Sequence, residues 1–487
     1  MMKLIKQCAN TFIRIYNSEI GYIASELTKH DRIYDEIGAI FLKQLSREPQ
    51  QLDVIIRNLS EIFPDVVPEK LSQDFVEFIS SLEEEQFIVT GQNLEQLSHK
   101  EPHFSYKNRM IEKQYRTTPH KQREECSGVW DIFTDYFRKH PQIFEIQIAL
   151  TSKCNQKCSH CYLPHTRRMQ DIDFALVTDI LDQTTELGTI GVNFSGGECF
   201  LHKDFDKILW KARHNDLSIT ILSNGTLINN EQIDLLKEIR ISQLQVSLYS
   251  MRAEEHDMIT QLPGSHARTL KAIQQLIEAD IPVQISCPVM KINKNSYTDV
   301  LKWANRHKVK AYTDFVMMAR TDFSTSNLKY RLNLEEAEKL IKEMLVYDQE
   351  YRAMIDANVA FMDMKKLAKK PLCGIGIDSI CLNADGNFYP CSGFQGYVLG
   401  NARDKRLHDI WFNSPQIQYL RKITLSDFPE CLQCEATHFC SKCLVRNFNE
   451  SGGNMFQINK HFCDVAFLNK RLIEEYRQKH ELTLSTL

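Results

Sequence analysis

The stretch IFEIQIALTSKCNQKCSHCY, residues 143–162, is an apolar run of strand length that opens directly into Cys154, Cys158 and Cys161, with the aromatic Tyr162 behind them. A nearly continuous apolar run is what a strand buried on both faces of a parallel sheet needs. The same texture recurs downstream at Ile190–Phe194, Ser218–Leu222, Gln243–Leu248, Val283–Cys287 and Ala311–Met317. Helical spacing fits between these runs around 172–187, 203–214, 229–239, 265–279 and 296–308. Six β/α repeats predict an α/β fold in which an all-parallel sheet curls into a full or partial barrel over 141–330. Chemistry in such folds gathers at the C-terminal strand ends, where the three cysteines lie.

Three thiolates within eight residues can bind three irons of a [4Fe–4S] cube and leave the fourth iron open to a ligand from outside the protein. The alternative is a structural zinc site in which His160 or His165 supplies a fourth ligand. The chain has 15 cysteines, which metal or catalysis explains better than disulfides in a reducing compartment. Three fall at 154–161 and eight at 373–463, leaving Cys8, Cys126, Cys199 and Cys287 scattered.

At 487 residues the chain is long enough for about three domains. Lys and Arg number 59 against 63 Asp and Glu, so the totals suggest neither a nucleic-acid binder nor a polybasic membrane protein. No run approaches the roughly 18 apolar residues of a bilayer span, and residues 1–16 lack a signal-peptide core, so a cytoplasmic location is expected. Residues 1–90 read as an α+β module, with strands at Thr11–Tyr16 and Gly21–Leu27. Three helices follow, the first carrying Ile33, Ile37, Ile40, Phe41 and Leu45, and the last two separated by Pro64 and Pro68. Residues 91–140 read as a polar linker with an amphipathic piece near Trp130–Phe137. A helical bridge is expected at 331–370, a cysteine-rich region with little core of its own at 371–465, and a charged helix and tail at 466–487. A cysteine-rich segment of that kind needs metal to fold.

The CxxxCxxC spacing followed by an aromatic residue resembles the radical S-adenosylmethionine (SAM) superfamily over residues 143–317. The resemblance implies a partial (β/α)6 TIM-like barrel. It also implies that Cys154, Cys158 and Cys161 hold a [4Fe–4S] cluster whose open iron binds SAM and generates a 5′-deoxyadenosyl radical. Gly196, Gly197 and Glu198 match positions that receive the methionyl ammonium. Ser223, Asn224 and Ser247 resemble positions that meet the ribose or carboxylate, and Tyr162 the aromatic residue beside the adenine. For each, local turn hydrogen bonding or packing is the alternative.

The second cysteine field reads C373-x7-C381-x9-C391, then C431-x2-C434-x5-C440-x2-C443 and Cys463, with Gly386 ahead of Cys391. It resembles the SPASM domain, departing from its pattern in the two-residue step before Cys443. The resemblance implies Cys373, Cys381, Cys391 and Cys443 on one auxiliary [4Fe–4S] cluster, and Cys431, Cys434, Cys440 and Cys463 on another. A pair of structural zinc sites is the alternative.

The amino-terminal module is similar to the PqqD-like, winged-helix-type element that binds the leader of a ribosomally made precursor peptide as an added strand. Together the three regions resemble a radical SAM/SPASM peptide maturase. That implies a precursor-peptide partner, an external electron donor such as flavodoxin or ferredoxin, and an oxidative crosslink, with a thioether favoured over carbon–carbon or carbon–oxygen bonds. Rival readings are a peptide epimerase, a sulfatase-maturing type, an enzyme of small molecules, and a zinc-binding scaffold without catalysis. Cys199 and Cys287, at predicted C-terminal strand ends, are candidates to donate hydrogen or ligate substrate, against a role as small buried thiols.

Overall fold

The computed structural model describes residues 4–26, 30–102, 133, 136–166, 169–348, 351–352 and 364–484. The amino-terminal unit holds two small sheets. In one, β1 (Leu4–Gln7) is flanked by β5 (Gln50–Gln51) and β6 (Ile88–Gly91). In the other, β2 (Thr11–Tyr16), β3 (Ile20–Ser25) and β4 (Asp31–Tyr34) form an antiparallel meander. Helices Glu36–Lys43, Leu52–Ile62 and Pro68–Glu84 close a core of Ile5, Ile23, Phe41, Leu42, Ile55, Leu59, Phe75 and Ile79.

Two details depart from the sequence reading. Ile33 belongs to β4, because the Asp35 carboxylate accepts from Gly38 N at 3.0 Å and caps the helix later than periodicity implies; Ile37 is 56% exposed. A helix, Leu94–Lys100, occupies part of the stretch read as linker. Of the amphipathic piece near Trp130–Phe137, residues 130–132, 134 and 135 lie outside the described residues, while Phe133 and Phe137 stack with centroids 4.9 Å apart.

The central sheet has β7 (Glu145–Thr151), β8 (Gly191–Gly196), β9 (Ser218–Ser223), β10 (Gln243–Ser247), β11 (Val283–Ser286) and β12 (Lys310–Tyr312) side by side and parallel. The crossovers include helices Phe174–Glu186, Phe205–His214, Asn230–Ile239, Ser265–Glu278 and Tyr297–Arg306. This is the partial TIM-like (β/α)6 fold, open at β12. The sixth strand stops at Tyr312 instead of reaching Met317. On the other edge β13 (Ser379–Leu382) adds parallel to β7, with Ser379 opposite Glu145, and β14 (Asn387–Tyr389) and β15 (Gly400–Asn401) continue antiparallel. The carboxy-terminal region thus extends the barrel's own sheet. Helix Lys460–Leu484 starts ahead of the predicted helix and packs on Leu334–Tyr347, with Arg471 paired to Glu338 at 2.8 Å.

The amino-terminal unit docks beneath the barrel. Arg14 and Arg47 both reach Asp216, just ahead of β9; Arg14 Nε donates to Thr189 O, ahead of β8, at 3.0 Å; and Ser218 Oγ donates to Glu26 at 2.5 Å. Phe12, Tyr16, Tyr22, Phe133, Phe137, Phe144, Ile190 and Ile377 form an apolar cluster there. Among the described residues no helix is long and apolar enough to cross a membrane.

Candidate active site and cluster-binding cysteines

β7 ends at Thr151, where its register with β8 shifts, and the cysteine loop begins. Thr151 Oγ1 donates to Asp171 at 2.6 Å, Lys153 Nζ pairs with the same carboxylate at 2.6 Å, and Ser152 N donates to Gln170 O at 2.8 Å, so the loop is pinned at its base. Gly197 N donates to Thr151 O at 2.7 Å and Glu198 N to Lys153 O at 2.8 Å, drawing the Gly196-Gly197-Glu198 segment onto the loop backbone. Gly196 has φ +139°, and a Cβ there would stand 2.3 Å from Thr151 O. A Cβ on Gly197 would stand 2.1 Å from Lys153 O. In the structure the two glycines make room for the cysteine loop itself.

Glu198 is buried and binds the next strand end. Its carboxylate accepts from Ser223 Oγ at 2.8 Å, Asn224 N at 2.8 Å and Phe200 N at 3.3 Å. Burial pushes its pKa up, opposed by those donors. Asn224 Nδ2 donates to Asn155 Oδ1 at 2.8 Å, Asn155 Nδ2 to Thr226 Oγ1 at 2.8 Å, and Thr226 Oγ1 back to Asn224 Oδ1 at 2.6 Å. This three-membered ring ties the cysteine loop to the loop after β9. Ser247, at the end of β10, and Cys158 both hydrogen-bond the Tyr249 hydroxyl. Gln156 N donates to Cys154 Sγ at 3.4 Å, while Cys158 Sγ donates to Gln156 Oε1 at 3.3 Å. His160 packs edge-on to Tyr249 with centroids 4.9 Å apart. Sequence reasoning missed Asn155, Thr226 and Tyr249. Only Asn155 carried a signal, lying inside the CxxxC spacing.

Beneath Tyr249 lies His256, whose Nδ1 accepts from Tyr249 N at 3.3 Å and whose ring is 0% exposed. Burial, followed by neighbouring His266, lowers its pKa to about 4, with Asp257 opposing. A histidine held neutral this way stabilises the fold above its unfolded pKa of about 6.5 and loses that contribution as pH falls toward the folded value. Urea unfolding of the cofactor-free protein at pH 7 and pH 4.5 is expected to show a drop in stability between the two that is about 1–3 kcal/mol smaller in His256→Gln than in the parent.

The downstream thiols fall into two groups by mutual electrostatic influence. Cys373 feels Cys443 and Cys391, Cys381 feels Cys391, and Cys391 feels Cys443. Cys431 feels Cys440, Cys463 and Cys434, Cys463 feels Cys440 and Cys434, and Cys440 feels Cys434. Burial pushes Cys391 and Cys431 up to about 11, so both are neutral thiols until a metal displaces the proton. Among the described residues no three His, Cys, Asp or Glu side chains converge on a point as ligands of a single ion would. The all-thiol donor set, two quartets and a trio, matches the soft ligands that iron–sulfur cubes take on separate corners.

Tyr162 lies between the trio and the first quartet. Its hydroxyl hydrogen-bonds Ser392 and feels Cys161 on one side and Cys381 and Cys391 on the other. Cys199 and Cys287 are both 0% exposed, with Sγ donating to Leu222 O at 3.5 Å and Tyr249 O at 3.6 Å. Both therefore stand in the structure as small buried thiols. Cys199 turns inward at the start of the 3-10 turn Cys199–Leu201, and Cys287 lies under Tyr249.

Residues 148–304 match the Radical SAM superfamily and residues 373–435 the SPASM iron–sulfur cluster-binding domain. The chain is 26% identical over 331 residues to the AdoMet-dependent heme synthase of Methanosarcina barkeri, covering 62% of this chain and 91% of that relative. It is also 26% identical to the subtilosin biosynthesis protein AlbA of Bacillus subtilis, covering 66% and 71%. Streptococcus suis SuiB bound to its precursor peptide SuiA shares the fold over 95% of this chain and 100% of that one, with TM-score 0.64 and 16% identity.

Proposed function

We propose that this chain, a radical SAM protein with a SPASM domain, modifies a ribosomally made precursor peptide by oxidative crosslinking, with a cysteine thioether as the favoured bond. The observation that carries the reading is the separation of eleven thiols into a trio at the barrel mouth and two downstream groups, of which Cys381 lies on the strand that extends the barrel sheet. Cys154, Cys158 and Cys161 would hold the SAM-binding [4Fe–4S] cluster. Cys373, Cys381, Cys391 and Cys443 would hold one auxiliary cluster, and Cys431, Cys434, Cys440 and Cys463 the other. When bound, the first cluster with SAM supplies a hydrogen-abstracting radical, and fully thiolate-ligated clusters accept an electron from the substrate.

The chain's own residues give the site its shape. Gly196 and Gly197 let the cysteine loop close, Glu198 fixes the loop after β9, and Ser223, Asn224 and Ser247 border the place where SAM would lie. A peptide substrate is supported by the amino-terminal unit, whose β4, among the described residues, pairs with β3 alone and leaves its other edge open for an added strand. AlbA serves the biosynthesis of a bacteriocin and SuiB binds a precursor peptide. An external flavodoxin- or ferredoxin-like donor and a cytoplasmic location complete the proposal.

The test is co-expression with a cysteine-containing precursor peptide and mass spectrometry. A loss of two hydrogens is expected, whereas no mass change would indicate epimerisation. Deleting residues 1–90 is expected to lower turnover of the full precursor at least about tenfold while peptide-independent SAM cleavage persists. Unchanged peptide turnover would remove the leader-binding role.

A further inference from the structure

A cavity at the start of helix Leu444–Ser451 is lined by Cys431, Cys440, Cys443 and Cys463 together with Arg446. Arg446 is only 4% exposed. A guanidinium taken out of water needs a negative partner to offset its lost hydration. Its Nη2 donates to the Ser441 carbonyl and, at 3.0 Å, to Ser441 Oγ, and its Cζ stands 4.0 Å from the Phe462 ring centroid. All of these are neutral groups.

Among the described residues no carboxylate lies within the 4.0 Å of an ion pair with Arg446. The nearby Glu450 is taken by Arg331 and by Asn459, and buried Asp314 feels Arg446 only through its field. The cavity sets this guanidinium among thiols: Cys431, Cys440 and Cys463 of the second quartet line it, together with Cys443 of the first. Lys442 Nζ already donates to Thr437 O at 2.6 Å and is partly exposed, which leaves Arg446 as the enclosed charge.

We infer that Arg446 is the resident counter-cation of the second thiol quartet: it compensates the negative charge of the cluster held there and raises that cluster's reduction potential. The inference rests on the reading of Cys431, Cys434, Cys440 and Cys463 as ligands. A four-thiolate cube carries net negative charge that grows on reduction, and a fixed positive charge in a poorly hydrated pocket favours the reduced form. Arg446 acts through the cluster and touches no reacting atom. Its planar guanidinium, stacked on Phe462, suits an enclosed site better than a strongly hydrated ammonium.

The experiment uses full-length protein, reconstituted anaerobically, with iron and sulfide counted and the clusters titrated potentiometrically by electron paramagnetic resonance. Arg446→Gln is expected to keep about twelve irons and to lower one auxiliary potential, so that its reduced-to-oxidised ratio at a fixed ambient potential falls about tenfold. Arg446→Lys is expected to restore most of that shift. Full iron with unchanged potentials in Arg446→Gln would overturn the assignment. If Arg446→Gln loses iron, Arg446→Lys decides: retained iron near the parental potential supports charge compensation, and lost iron shows that charge is not the requirement. A parent protein holding only about four irons would instead reject the auxiliary-cluster reading itself.

Discussion

Cys158→Ala, reconstituted anaerobically, is expected to hold about eight irons per chain instead of about twelve and to release no detectable 5′-deoxyadenosine from SAM under reductant. Cys158 is held from two sides, by Gln156 Oε1 at 3.3 Å and by the Tyr249 hydroxyl, so its position is set by neighbours that the substitution leaves in place. The loop base, pinned through Asp171 and the Gly197 and Glu198 amides, does not involve the thiol. The two quartets lie in the carboxy-terminal region, outside the loop that carries Cys158, and their iron is expected to survive. Iron analysis with quantification of the nucleoside product checks both halves. Retention of twelve irons, or cleavage at the parental rate, would remove Cys158 from the proposed ligand set.

Gly197→Ala is expected to be nearly as severe without touching a ligand. The added methyl would meet Lys153 O at 2.1 Å and Lys153 C at 2.6 Å, both backbone atoms that cannot rotate away. The segment must then separate from the loop, breaking the Glu198 N to Lys153 O bond and loosening Glu198 from Ser223 and Asn224. An overpacking conflict against fixed backbone costs about 3 kcal/mol, the upper end of what such changes typically cost. The expected readouts are loss of about four irons, a lowered thermal midpoint, and retained auxiliary-cluster signals. By contrast, alanine at Gly452, where nothing lies within 4 Å of the added carbon, is expected to retain all three clusters despite its φ of +76°.

The barrel was legible because largely apolar, β-branched segments of strand length recur between helical stretches, and Ile190–Phe194 or Ser218–Leu222 can be read that way without partners. The end of the sixth strand at Tyr312 was not open to such reading. Thr313 and Asp314 beyond it are polar, and Met317 is apolar because it packs beside Tyr249 and Met290, not because it joins a ladder. β1 and β5 escaped notice for the opposite reason, since Leu4–Gln7 and Gln50–Gln51 are short and half polar or wholly so and become strands only by pairing. At the site, cysteine spacing revealed which thiols belong near one another. It could not reveal that Glu198 holds Ser223 and Asn224, because that carboxylate's partners come from a loop 25 and 26 residues away. Nor could it tell that Cys199 turns inward, which depends on the 3-10 turn that Glu198 caps.

The placement of the amino-terminal unit beneath β8 and β9 makes the barrel a ruler. Asp216 and Thr189 receive that unit ahead of these strands, and Gly196 and Ser223 lie at their far ends, with 6 residues in each strand. At about 3.3 Å per residue the two ends are roughly 20 Å apart. Under the leader binding proposed above, a substrate gripped below and modified above would carry at least about six extended residues of tether between its recognition sequence and its first altered position. Shorter tethers would leave binding intact and chemistry out of reach.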